Sequence, residues 1–150
     1  MRLTNFTDYS LRVLIFVAMQ REGRATIAEV ARAFDISENH LTKVVHFLGK
    51  RDFLANVRGR GGGLALARPA KQITIADVVR EAEGTMVPAE CFDADEHCAI
   101  APVCRLRGVL ADAMKAFYAV LAQYTLEDIV RNRSDLVKIL FRAPRERTTP

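Results

Sequence analysis

Three cysteines fall within 14 residues of this 150-residue chain: Cys91, Cys98 and Cys104, in the spacing C-x6-C-x5-C. They are all the cysteines the chain has. A thiolate is a soft ligand, and thiolates gathered in a polar, irregular segment suit a soft metal ion or an iron–sulfur cluster. This segment also carries Glu90, Asp93, Asp95, Glu96 and Pro102, a composition that offers no obvious way to bury free thiols. No C-x-x-C pair is present, which argues against a thioredoxin-like redox site and against most structural zinc modules. Three thiolates are one short of the usual four. His97 lies inside the segment and would complete a zinc site, although its neighbour Cys98 makes simultaneous ligation awkward. A carboxylate from elsewhere in the chain, or from a partner subunit, is the other candidate. Arg107, three residues past Cys104, cannot be a ligand.

A second set of residues is suited to an anionic partner. Arg58-Gly59-Arg60-Gly61-Gly62-Gly63 holds four glycines and two arginines in six positions. The glycines permit positive backbone angles and close approach to another surface. Arginines at such a tip suit a DNA minor groove, where negative potential concentrates. A phosphate-binding loop is the rival, but no Lys-Ser/Thr pair follows and the next segment reads as a strand. Upstream, Glu38, Asn39, His40, Thr42 and Lys43 open a helical stretch. Asn39 can pair with adenine through two hydrogen bonds, Thr42 can meet a thymine methyl, and Lys43 can reach guanine or phosphate. Arg2, Lys50 and Arg51 read as phosphate contacts, which position a protein without specifying sequence.

These residues need elements to place them. Apolar spacing predicts a helix over about Tyr9 to Gln20, with Thr7 as its N-cap and Gly23 as its stop. A short helix follows over Thr26 to Phe34, and Ser37 caps a third from Glu38 to Lys50, with Leu41, Val44, Val45 and Leu48 inward. Helix, tight turn and helix make a helix-turn-helix outline. Phe53–Val57 and Leu64–Ala67 read as two short strands around the Arg-Gly loop, and the whole as a winged helix. Thr74 caps a helix that Gly84 stops. A long helix fits Arg105 to Tyr124, and Leu106, Leu110, Ala113, Phe117, Val120 and Tyr124 step along it by three and four. That stripe predicts a dimer interface; burial against its own domain is the alternative. A last helical piece covers Leu126 to Leu140. The expected class is mainly α: a winged helix-turn-helix with a two-stranded wing plus a long dimerisation helix. The division is residues 1–84 for DNA binding, 85–104 for the cysteine segment, 105–141 for the dimerisation and C-terminal helices, and 142–150 as a flexible tail.

Composition fits. The net charge of +4 is unevenly spread, with 11 Lys and Arg against 6 Asp and Glu in residues 1–68, and 5 against 10 in residues 69–130. A basic first part joined to an acidic middle predicts an anionic partner for the first part alone. The hydrophobic share, 50%, is too high for a disordered chain. The longest apolar run, Val13 to Met19, is far short of a membrane span. No signal peptide is evident at the start, so a soluble cytoplasmic protein with reduced thiols is expected.

The opening Met1-Arg2-Leu3-Thr4, the wing Val57-Arg58-Gly59-Arg60-Gly61-Gly62-Gly63, and three cysteines before a long helix together resemble the winged-helix iron–sulfur regulators that include IscR and NsrR. The likeness covers essentially residues 1–140. Phe6-Thr7-Asp8-Tyr9 is similar to the opening of the NsrR branch, the nitric-oxide-sensing repressors. There Asp8 would correspond to a carboxylate ligand given across the dimer. The IscR branch has a ligating His where this chain has Arg107. Phe117-Tyr118 and Thr125-Leu126-Glu127-Asp128 resemble the family's dimerisation helix and its exit. The first cysteine gap, six residues, is longer than is usual in the family. The resemblance implies a homodimeric repressor, not an enzyme, that binds a pseudo-palindromic double-stranded DNA operator. It implies one iron–sulfur cluster per subunit, 4Fe–4S or 2Fe–2S, on Cys91, Cys98, Cys104 and the partner subunit's Asp8, with nitric oxide as the signal. A regulator of the same family that senses cluster supply or redox state is the near alternative. A zinc-stabilised regulator using His97, or a small electron carrier or thiol enzyme, is the distant one.

Overall fold

The computed structural model describes residues 2–20, 24–84, 86, 88, 89, 92 and 98–141. Helix α1 spans Asn5–Met19, α2 Ile27–Phe34, α3 Glu38–Lys50, α4 Ile75–Glu83, α5 Arg105–Leu121, α6 Leu126–Ile129 and α7 Arg133–Leu140. Strands β1, Leu54–Val57, and β2, Gly63–Leu66, form one antiparallel pair with Leu54 opposite Leu66 and Val57 opposite Gly63. Short 3-10 turns occupy Ala70–Gln72 and Ala101–Val103. The fold is therefore the expected mainly α winged helix-turn-helix with a two-stranded wing and a long helix beyond it.

Both helices of the helix-turn-helix start where a hydroxyl satisfies an otherwise orphaned backbone N–H. Thr26 and Glu29 form a reciprocal capping box at α2, in which the Glu29 N–H donates to the Thr26 hydroxyl at 3.2 Å and the Thr26 N–H to the Glu29 carboxylate at 2.7 Å. Ser37 accepts from the His40 N–H at the start of α3. The turn between them closes through Asp35, whose φ of 53° is left-handed, and Ile36 donates back to Ala31.

Helix α1 is the centre of the molecule. Val13, Leu14, Phe16 and Val17 are buried on it, and they meet Leu41, Val44, Val45 and Leu48 of α3 and Val78 of α4 in one core. Burial of each such side chain contributes about 1.5–3 kcal/mol. The C-terminal helices return to the same core. Leu126 is buried, the Phe141 ring lies 5.0 Å from that of Phe16, and the Arg133 guanidinium donates to the carbonyls of Ala18 and Met19 at the end of α1.

Three sequence expectations are corrected. Helix α1 begins at Asn5 with Thr4 as its cap; Thr7 is buried inside the first turn, its N–H donating to the Thr4 hydroxyl. Helix α5 ends at Leu121 instead of Tyr124, because Tyr124 and Thr125 run extended past Thr74, with the Ile75 N–H donating to the Tyr124 carbonyl at 2.9 Å. The last helix is two, broken over Val130–Asn132. Gly23, expected to stop α1, and the tail 142–150 lie outside the described residues.

Candidate nucleic-acid interface and cysteine segment

Four core residues on one side of α3 fix which side faces out. Leu41, Val44, Val45 and Leu48 are buried, so Glu38, Asn39, His40, Thr42, Lys43, His46 and Lys50 are exposed together on the opposite face. The hydroxyl of the exposed Thr42 donates to the Glu38 carbonyl at 2.8 Å. His40 stacks on Tyr9 of α1 at 6.4 Å between ring centroids. Lys43 and Lys50 have no ion-pair partner among the described residues, and neither does Arg2. Arg51 differs. It pairs with Glu81 of α4 at 3.1 Å and lies over the Phe47 ring, so its charge is partly committed inside the protein.

The wing follows α3 directly, β1 beginning four residues after its end. Its tip, 58–62, is a turn in which the Gly62 N–H donates to the Gly59 carbonyl at 2.9 Å. At Gly62 an added Cβ would sit 2.3 Å from the Val57 carbonyl oxygen, and Gly59 and Gly61 have φ of 99° and 70°. Only glycine suits that path. Arg58 and Arg60 are exposed and face no carboxylate among the described residues. Ala25 adds a single bridge to β2, exchanging two backbone hydrogen bonds with Leu64.

Asp8 lies in the first turns of α1, half exposed. Its two carboxylate oxygens accept from Arg12, one turn on, at 3.1 and 2.8 Å. An exposed pair of this kind is worth about 0–1 kcal/mol, so the carboxylate is readily released to another partner. On either side of Asp8 in sequence, the helix packs on α3: Phe6 meets Phe47 edge-on at 5.1 Å, and Tyr9 meets His40. The start of α1 is tied to the end of α4 as well. The Thr4 N–H and hydroxyl donate to the Glu83 carboxylate at 2.7 and 3.0 Å. Burial pushes the Glu83 carboxyl up, but hydrogen bonds from the Thr7 hydroxyl and from the Thr4 N–H and hydroxyl outweigh it and hold its pKa below the usual carboxylate value. Gly84, with φ of 66°, follows at once and opens the cysteine segment.

Of the thiols, Cys98 is exposed and Cys104 half-buried, on either side of the 3-10 turn; the Ala101 N–H donates to the Cys98 carbonyl at 3.0 Å. Cys104 is also the residue from which α5 starts, with no side-chain cap. Phe92 lies beneath the Arg107 guanidinium, 5.5 Å from ring centroid to carbon. The residue next in sequence to Cys91 is thus held against the first turn of α5. Cys91 and His97 themselves lie outside the described residues. Among the described residues no three His, Cys, Asp or Glu side chains of one chain converge as a metal site. Two soft thiols and a loosely held carboxylate are nevertheless a donor set suited to iron.

Helix α5 has no buried residue. Leu110 and Phe117 are half-buried, as are Met114 and Tyr118, and Arg80 of α4 lies over the Tyr118 ring at 4.8 Å. Leu106 and Val120 are 61% and 53% exposed, Ala113 is exposed, and Tyr124 beyond the helix is 50% exposed. Val109, at 63% exposure, shares the outward side and was not marked by the heptad-like count. The signal for it was one residue away from Leu110, which a single-stripe reading prefers.

A family model described as Rrf2, iron-dependent transcriptional regulator, matches residues 3–132. The HTH-type transcriptional regulator NsrR of Bacillus subtilis is 48% identical over 142 residues, spanning 93% of this chain and 97% of that protein. The protein of the same name from Oceanobacillus iheyensis is 44% identical over the same shares of each chain. Among solved structures, the global cysteine regulator CymR of B. subtilis superposes with a TM-score of 0.69 at 27% identity, covering 88% of this chain and 98% of that one. IscR of T. potens superposes at 0.71 with 22% identity, covering 88% of each chain, a likeness of fold.

Proposed function

Given that the chain belongs to the Rrf2 family and is a DNA-binding transcriptional regulator, we propose that it is a homodimeric repressor that senses nitric oxide through an iron–sulfur cluster. Residues 1–84 bind DNA, 85–104 carry the thiols, and 105–141 hold the dimer together while packing back on α1. In each half-site the outward face of α3, with Asn39, His40, Thr42 and Lys43, reads the major groove. Arg58 and Arg60 enter the adjacent minor groove, and Arg2, Lys50 and Arg51 lie along phosphates. Cys91, Cys98 and Cys104 hold the cluster, with the partner subunit's Asp8 as the fourth ligand. One cluster serves each subunit. When bound, it supplies iron that reacts with nitric oxide.

The observation that carries this reading is the packing around Asp8. Phe6 and Tyr9 grip Phe47 and His40 of α3, so the position of the Asp8 carboxylate and that of the base-reading face are set by one rigid helix. A carboxylate committed to the partner's thiol segment fixes α1 of one subunit relative to the other. Once released, it has Arg12 to return to. The two α3 helices then lose their fixed spacing and operator affinity falls. A loss of about 3 kcal/mol lowers affinity more than a hundredfold.

Anaerobic purification tests the proposal. The expected protein is brown, with visible absorption that bleaches on addition of nitric oxide and DNA binding that weakens in step. A colourless protein with stoichiometric zinc would overturn it, and a brown one indifferent to nitric oxide would identify a cluster-supply or redox regulator instead. Asp8→Ala is expected to keep a more labile cluster and bind DNA less tightly; if neither property changes, Asp8 is no ligand.

A further inference from the structure

Residues 24 and 61 are 37 apart in sequence, yet the Arg24 guanidinium donates to the Gly61 carbonyl at the crest of the wing. The contact is close enough that a Cβ added to Gly61 would stand 3.5 Å from the same guanidinium nitrogen. Arg24 is exposed, and among the described residues no carboxylate pairs with it. Its backbone neighbour is equally committed: Ala25 and Leu64 exchange hydrogen bonds of 2.9 and 2.6 Å. Gly63 makes this approach possible, since a Cβ there would lie 2.7 Å from the Ala25 carbonyl oxygen.

The wing tip has reason to need a hold. Among the described residues, outside the strand ladder, its one backbone bond across the turn is from the Gly62 N–H to the Gly59 carbonyl, and four glycines in six residues give it a large conformational entropy when free. A tip that must order itself on DNA pays that cost in affinity. A guanidinium bonded to a crest carbonyl restrains the tip beforehand, from outside the strands that carry it.

We propose that Arg24 is a positioning residue for DNA binding, which fixes the wing through the Gly61 carbonyl so that Arg58 and Arg60 meet the minor groove in an ordered loop. Arg24 acts through those two arginines and makes no DNA contact of its own that matters to affinity. The proposal rests on the reading of the wing as a minor-groove probe.

Binding of a fixed duplex of about 30 base pairs, enriched from a random pool on the unsubstituted full-length protein, tests it by fluorescence anisotropy. Arg24→Ala is expected to weaken binding about tenfold in the unsubstituted wing, and less than about twofold in the Arg58→Ala, Arg60→Ala background. Arg24→Lys, which keeps the charge but offers no planar fork, is expected to fall between. Without DNA, amide exchange at Gly62 is expected to quicken in Arg24→Ala. Equal losses in both backgrounds would mean an independent phosphate contact and overturn the proposal. So would full affinity in Arg24→Lys with Gly62 exchanging as fast as in Arg24→Ala, or no effect of Arg24→Ala at all. Failure of the unsubstituted protein to enrich any duplex would bring down the DNA reading itself, and this proposal with it. Enrichment followed by equal losses sinks this proposal alone.

Discussion

Asn39 is the outward amide of α3, able to pair with adenine through a donor and an acceptor at once, and among the described residues no hydrogen bond or ion pair engages its side chain. Asn39→Ala is therefore expected to cost about 1–3 kcal/mol of discrimination at one base pair while leaving non-specific binding nearly unchanged. Titration against duplexes altered one base pair at a time checks this; a uniform loss across all of them would assign Asn39 to the phosphates. At this scale the sequence was readable where function is local. The thiol spacing, the Arg-Gly loop and the α3 face are contiguous stretches whose chemistry stands in the order of residues. Arg24 and Glu83 were invisible because their partners, Gly61 and Thr4, are 37 and 79 residues away. The bond of Arg51 to Glu81, which shares its charge with the phosphate contact proposed for it, is likewise a product of folding.

Elements were legible in proportion to how far their ends are decided locally. Ser37 and Thr74 cap helices where the sequence places them, and Thr26, read as the first residue of its helix, is its cap; a hydroxyl and the N–H three residues on make each start without outside help. Thr4 and Thr7 both offer that chemistry, and the choice fell to Thr4 through Glu83, which accepts two hydrogen bonds from it. The break over Val130–Asn132 carries no Gly or Pro; it exists because Leu126 is buried in the core while Arg133 reaches the end of α1. The Glu83 tie makes a pH prediction. Its carboxyl is held below the ordinary glutamate value of 4.5, so its stabilising contribution is complete above that pH and disappears as pH falls through the lower folded value. The difference in thermal midpoint between the unsubstituted protein and Glu83→Gln is expected to be level near neutrality and to shrink on acidification below about 4.5. A difference that grows toward acid would contradict the assignment.

For the whole molecule, α5 is a 17-residue helix with no buried side chain, and a helix survives in water chiefly by packing its apolar side. Leu106, Val109 and Val120 supply that side. Val109→Glu is expected to shift the protein from dimer to monomer in sedimentation velocity, and to weaken operator binding as the second half-site is lost. A dimer unchanged by both Val109→Glu and Val120→Glu would place the interface elsewhere. The sequence predicted the helix and its apolar stripe but not its contact with α4, where Arg80 lies over Tyr118, a residue outside that stripe. The return of the last helices to α1 has a consequence for synthesis. A nascent chain that has emerged only through the wing carries every residue proposed to read bases, yet it lacks Leu126, Phe141 and the guanidinium of Arg133 that closes the end of α1. Ribosome stalling or premature termination before that point leaves the part of α1 around Phe16 and Met19 without its C-terminal cover, so incomplete products are expected to be less stable and more open to chaperones and proteases.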